Sequence, residues 1–277
     1  MKLTSIEIHP SNTSAPAVLS FRDPTSINPY NVKAIVGLDS ESIVPQRYAS
    51  SEVSDFYNLS LQNRQIVIRV GLNPNFTDNE SYSDLRDNLY KFIASSRTGS
   101  IQLQFKNALE VIAVISGYIS KFEAPQFEKT QEVQITIQCS EPMLKALTPV
   151  SVEGIDPSHT IITDDKSTAP HGFSFSMGIT FAIGSIKITD PNDSSWGFEI
   201  VPVGGFMNGD ELYFSSEFNN KQLYLVRARV TIIQLADVLT SVSVWPIMFP
   251  GENIFSFTNS SYLRWDDISY YPTYWGV

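Results

Sequence analysis

Between Gly99 and Leu144 the chain reads GSIQLQFKNALEVIAVISGYISKFEAPQFEKTQEVQITIQCSEPML, three strand-like runs in succession. In the last run Val133, Ile135, Ile137 and Cys139 alternate with Glu132, Gln134, Thr136 and Gln138. A two-residue period turns one face to a core and the other to water or a partner. The middle run, Val111 to Phe122, is about twice the usual strand length and carries apolar residues on both faces up to Ser116. Such a strand needs cover on both sides, from its own fold or from a neighbouring subunit. The runs are joined by Phe122-Glu-Ala-Pro-Gln-Phe127, a hairpin tip with an aromatic at each end. Exposed aromatics make poor core and good interface anchors. Phe122, Pro125 and Phe127, with Val111, Val114 and Tyr118 on the long strand, are therefore the candidate contacts with other subunits or partners.

A chain of 277 residues has room for two ordinary domains. Pro142 to Leu147 breaks the pattern, so the expected division is 1–147 and 148–277, with 148–170 read as linker and loop. In the first part, short strands are expected at Leu3–Ile8, Ala17–Phe21, Val32–Leu38, Val53–Leu61 and Gln65–Leu72, the last two joined by a turn at Gln62-Asn63-Arg64. One helix is expected at Tyr82–Ser95, packed on the opening strands. Ser81 and Asp84 form its capping box, Leu85, Leu89, Phe92 and Ile93 its apolar stripe, and Arg97 and Gly99 its end. The second part opens with Phe173, Phe175, Met177, Ile179, Phe181 and Ile183 alternating with small or polar residues. Strands at Trp196–Val201, Glu211–Phe214, Gln222–Ile233, Ser241–Trp245, Asn253–Phe257 and Tyr262–Tyr270 follow, and many short strands at this spacing predict a sandwich or jelly roll.

The succession of turns is also distinctive. GxIxLxF from Gly99, a long strand ending GYISKFEAP and then QFEKTQEVQITIQCSEP are followed by Phe206-Met-Asn-Gly-Asp-Glu-Leu-Tyr-Phe and Gln222-Leu-Tyr-Leu-Val. Phe249-Pro-Gly-Glu-Asn-Ile-Phe-Ser-Phe comes next, and Tyr274-Trp-Gly-Val ends the sequence. In this order the motifs resemble the distal tail protein of long-tailed, non-contractile bacteriophages. The resemblance implies a mainly β chain. Its N-terminal domain would be a ring-forming barrel or folded sheet with one flanking helix, and its C-terminal domain a galectin-like jelly-roll sandwich. It implies six copies joined edge to edge in a ring at the virion's tail tip, made in the host cytoplasm. The implied neighbours are the tail tube, the tail-tip or receptor-binding proteins and the tape measure protein, with DNA passing through the lumen.

Charge fits passage better than grip. Residues 1–150 carry 13 Lys+Arg and 15 Asp+Glu, and residues 151–277 carry 6 and 14, so most of the net −10 lies in the second part. A protein that holds phosphates needs the opposite sign. No apolar run approaches the roughly 18 residues of a membrane span, and MKLTSIEIHP lacks the apolar core of a secretion signal.

Chemistry finds little to stand on. Cys139 is the only cysteine and falls on the apolar face of its strand, the place of a buried small hydrophobe. His9, His159 and His171 follow no metal-ligand spacing. His159 and His171 flank Asp164 and Asp165, a grouping read as solvated loop residues rather than an acid–base site. Asp190-Pro-Asn-Asp193 reads as a polar turn before a Ca²⁺ loop. No nucleophile elbow or phosphate-cradling loop occurs, so no catalytic residue, metal or cofactor is assigned. Trp196, Trp245 and Trp265 are the candidates for a sugar-stacking platform, the basis of an alternative reading as a carbohydrate-binding module for host adhesion, although filling a sandwich core is their commoner use.

Overall fold

The computed structural model of the chain describes residues 3–11, 15–21, 28–39, 63–96, 99–124, 131–153, 156, 158–190, 193–217, 220–228, 231–234 and 245–277. They fall into two compact units, Met1–Leu147 with Tyr274–Val277, and Thr148–Thr273. The fold is mainly β with one helix.

The first unit contains β1 (Ser5–Pro10), β2 (Ala17–Phe21), β3 (Tyr30–Val36), β4 (Gln65–Leu72), α1 (Tyr82–Ser96), β5 (Ile101–Lys106), β6 (Val111–Glu123), β7 (Glu132–Cys139) and β8 (Leu144–Lys145). The sheet order is β6-β5-β1-β2-β3-β4-β7, and β7 pairs back onto β6, which closes a seven-stranded barrel. Every pairing around it is antiparallel except β2 with β3. Alternation is what closes it. In β5 Ile101, Leu103 and Phe105 point inward while Gln102, Gln104 and Lys106 face out, and β7 does the same with Val133, Ile135, Ile137 and Cys139. The interior is filled by these side chains together with Ile6, Ile8, Ile66 and Ile68. Beyond β6 the sheet continues through β8 to β19 (Thr273–Tyr274).

Helix α1 starts as its capping box requires: Asp84 Oδ2 accepts from the Ser81 amide at 2.9 Å, and Ser81 Oγ accepts from the Asp84 amide at 3.2 Å. Leu85, Leu89 and Ile93 join the barrel core. The helix lies against β4 and β6, and the Tyr30 hydroxyl of β3 donates to the Leu85 carbonyl at 3.1 Å. Gly99 does not take the left-handed conformation expected of a helix end, and Arg97 lies outside the described residues. Val53–Leu61 lies outside them too. Arg64 was read as a turn residue, yet it is buried. Its guanidinium donates to the carbonyls of Leu38 and Trp275 at 2.7 Å each, tying the C-terminal tail to this unit.

The second unit is a sandwich of two antiparallel sheets. One has six strands in the order β16 (Thr231–Gln234), β15 (Gln222–Arg227), β14 (Glu211–Ser215), β11 (Ser174–Ile179), β18 (Leu263–Tyr270), β9 (Val150–Glu153). The other has four: β10 (Thr160–Asp164), β17 (Gly251–Phe257), β12 (Ile186–Asp190), β13 (Asp193–Ile200). Both feed one core, in which Phe173, Phe175, Phe198, Phe214, Phe255 and Phe257 pack ring against ring. β9 and β10 overturn the reading of 148–170 as linker; Val152 and Ile162 make the apolar contacts. The alternation from Phe173 stops at Ile179, because Phe181 is exposed and Ile183 only bridges to Phe206. The single strand expected at Gln222–Ile233 is a hairpin, turned where Ala228 adopts a positive φ of 54°. Residues 241–244 lie outside the described residues, and Trp245 is in no strand.

Candidate functional site

The candidate contact residues separate sharply. Val114 is 1% exposed and pairs with Lys145 of β8, so it offers no surface. Phe122 folds back on the helix, its ring 4.7 Å from that of Tyr90 in a T-shaped contact. Val111 is half-buried, and Tyr118, on the outward face of β6, is 52% exposed. Pro125 and Phe127 lie outside the described residues. The expectation of exposed sheet edges meets a correction: the barrel closes through β6 and β7, so among the described residues each of its seven strands has a partner on both sides, although β2 and β3 share only two residue pairs.

Two of the three candidate tryptophans pack on the sandwich core. Trp245 packs on Phe198 and Phe214, with ring centres 5.0 and 5.5 Å away, and Trp265 packs on Phe257 and Phe175 at 4.5 and 5.0 Å. Both are partly buried against the sandwich core. Trp196 belongs to β13, but its side chain lies outside the described residues.

The polar motifs turn out to be locks on turns. Asp210 of the Asn-Gly-Asp turn is buried, accepts from the Met207 amide at 2.8 Å and takes two donors from Arg227, Nη2 at 2.8 Å and Nε at 3.1 Å. Arg227 also reaches the Gly205 carbonyl. Asn253 closes the Pro-Gly-Glu-Asn turn: its Oδ1 accepts from the Phe249 amide, and its Nδ2 donates to the Phe249 and Gly251 carbonyls. Asp190 pairs with Asp193 across a hairpin. Among the described residues no group of three or more His, Cys, Asp and Glu could hold a metal ion.

His171 and Asp164 do meet, and they are not solvated. Nε2 lies 2.8 Å from Asp164 Oδ2, Nδ1 lies 2.9 Å from the Gly172 carbonyl, and the ring stacks on Tyr270. Asp164 Oδ1 accepts from the amides of Lys166 and Ser167. Burial opposes the Asp164 charge, but hydrogen bonds from Ser167, His171 and Lys166 outweigh it and hold the carboxyl below its ordinary range. His159 stays apart, its amide donating to the Asp156 carbonyl. In the barrel, burial likewise opposes the Glu7 charge, yet Lys106 and His9, 2.8 and 2.9 Å away, keep that carboxyl low.

No model of a protein family matches the chain, and no curated protein matches it in sequence. Among solved structures it is similar to the SPP1 Dit (gp 19.1) protein, described as a paradigm of the hub adsorption apparatus in phages that infect Gram-positive bacteria. The identity is 12% and the TM-score 0.59, over 88% of this chain and 93% of that one. A chain of the phage P2 baseplate in its activated conformation with Ca aligns over 98% of both chains at 9% identity and a TM-score of 0.45. The first likeness establishes that this chain has the fold of a phage tail hub protein.

Proposed function

We propose that the chain is a structural protein of a bacteriophage tail, six copies of which close into a ring at the distal end. The ring joins the tail tube to the tail-tip or receptor-binding apparatus and leaves a central channel for DNA. The observation that carries this reading is the shared fold over 88% of the chain with a protein described as a hub adsorption apparatus. The order of turn motifs from Gly99 to Val277 points the same way independently. A contact that repeats head to tail and closes on itself leaves no sticky surface, which suits a ring.

The remaining assignments follow from that reading. The protein acts in the virion at the tail tip, after synthesis in the host cytoplasm, with no reaction to catalyse. The tape measure protein and the DNA pass within the ring, and a net charge of −10 lets DNA slide without being held. The galectin-like sandwich gives the tail-tip proteins a docking surface. Negative-stain electron microscopy of the purified protein tests the proposal: a six-fold ring with a central hole is expected, and particles that stay single at every concentration would overturn it.

A further inference from the structure

On the outward face of the six-stranded sheet one row crosses β15, β14, β11 and β18 as Tyr224, Tyr213, Ser176 and Asp267. Tyr213 and Tyr224 stack with ring centres 4.8 Å apart and planes 11° from parallel, so the second face of Tyr213 turns toward β11. Ser176, next in the row, is too small to cover that face. Beyond it β18 bulges: the register passes from Phe175 with Ile268 to Met177 with Trp265, so Asp266 and Asp267 stand where one residue is expected. Two strand spacings, roughly 10 Å, therefore separate the backbones of Tyr213 and Asp267, with only a serine between them. This slot belongs to a groove of about 360 Å³ floored by Ser174, Ser215 and Ser269.

The charge of the groove is unbalanced. Its lining includes the carboxylates of Asp267 and Glu217 and no Lys or Arg. Among the described residues neither carboxylate has an ion-pair partner. Asp267 accepts only a neutral hydroxyl, Ser151 Oγ at 2.7 Å. The basic residues nearby are turned elsewhere. Arg227 is held by Asp210, the Lys221 ammonium lies 5.7 Å from the centre of the Trp245 ring, and Arg264 lies over Gly178, where an added Cβ would come 3.4 Å from its Nη2. Tyr213 Oη donates to Glu211 Oε2 at 3.2 Å, which polarises the phenol and makes its ring face more negative. The part of the sequence that builds the groove also carries most of the net −10.

We infer that the slot between Tyr213 and Asp267 receives an arginine side chain presented by a protein partner. A guanidinium is flat, permanently charged and weakly hydrated, and its five N–H donors lie in one plane. Its face stacks on the open face of Tyr213, and its edge donates to the Asp267 carboxylate and to serine hydroxyls. An anion would meet two carboxylates with no cation to balance it. An apolar group would strip water from those carboxylates without replacing their hydrogen bonds. A lysine ammonium brings the charge but not the flat face. Asp267, Asn220 and Gln222 are exposed at the rim, so a side chain on a partner's loop reaches the slot from outside. The inference goes beyond the tail-hub reading and does not rest on it, because the second unit supplies every residue of the groove.

Saturation-transfer NMR of the full chain tests the site with an end-blocked alanine peptide carrying one central arginine. The arginine peptide is expected to bind saturably, and more weakly as salt is raised. The same peptide with citrulline, which keeps the shape and loses the charge, is expected to bind roughly tenfold more weakly or worse. Agmatine, a free guanidinium, is expected to bind no more tightly than the peptide. Asp267→Asn is expected to weaken binding of the arginine peptide roughly tenfold. Ser176→Tyr, which fills the slot while removing no core atom, is expected to abolish it. Glu252→Gln removes an exposed carboxylate from β17 of the other sheet and is expected to leave binding unchanged. Thermal melting of each variant separates lost binding from lost folding. Equal binding of the arginine and citrulline peptides, binding of neither, or binding that survives in both groove variants overturns the site. Binding of agmatine with exclusion of the peptide overturns the protein partner. Ring formation is expected in every groove variant, so failure of this site and failure of the hub reading give different results.

Discussion

At the scale of the residue, the most constrained group is the imidazole of His171. Its two nitrogens lie within hydrogen-bond distance of the Gly172 carbonyl and the Asp164 carboxylate. The pair is buried, with side-chain exposures of 3% and 0%, and removing one partner of such a pair leaves the other uncompensated. Asp164→Asn is therefore expected to cost about 3–5 kcal/mol of stability at neutral pH, measured by urea unfolding. The folded carboxyl lies below its ordinary 3.8, so its contribution is present above that pH and is lost as pH falls through the folded value. The gap between wild type and variant should narrow on the acid side. The sequence brought the two residues onto one stretch, but nothing in Asp and His seven positions apart reports that the ring will stack on Tyr270 and its backbone bridge to Met248. Cys139 was legible, because strand parity alone places it inside. Burial pushes its thiol up to about 12, with Arg64 only partly offsetting the effect. A disulfide reagent such as DTNB is expected to react with it no faster than the unfolding rate, and prompt labelling of the native protein would contradict the burial.

At the scale of the element, the barrel depends on how β6 meets β7. Gly117 of β6 sits opposite Cys139, and a Cβ there would lie 2.5 Å from the Gln138 carbonyl oxygen and 3.0 Å from the Cys139 Cα. Those atoms are backbone and cannot rotate away, so a side chain has to push the strands apart. Gly117→Val is expected to cost at least 1–3 kcal/mol, the usual range for overpacking, and to speed hydrogen exchange at the β6 and β7 amides. Exchange unchanged at those amides would show that the strands can yield. Elements of this kind were readable to different degrees. β5, β7 and β11 carry clean alternation over six to eight residues, and the Ser81–Asp84 box announces α1, so parity and capping chemistry suffice. β9, β10 and β12 are only four or five residues long, and each carries just two or three apolar residues. Their strand character comes from partners distant in sequence, such as Ile254 for Ile161 and Ile268 for Val152, which no local pattern can display.

At the scale of the whole molecule, closure of the barrel changes how a ring has to be built. The described barrel strands pair among themselves, so in the proposed ring copies would associate through side-chain faces rather than through a shared barrel edge. The barrel interior is packed with Ile6, Ile8, Leu103, Phe105, Ile115 and Ile137, all buried, so the channel of the proposed ring would have to run between copies and not through one. Among the candidate contacts whose side chains are described, Tyr118 retains the surface for that role: it is an outward aromatic on the longest strand, 52% exposed, beside Gln138 of β7. Buried aromatics at the centre of an interface commonly contribute about 2 kcal/mol or more each. In a ring the same contact recurs at every junction, so a modest loss per contact is multiplied around the circle. Tyr118→Glu is expected to convert rings to single chains in analytical ultracentrifugation while leaving the denaturant midpoint unchanged, because the side chain supports no internal core. Rings that persist in the variant would move the interface to another face of the barrel, and a lowered midpoint would show that Tyr118 serves the fold instead.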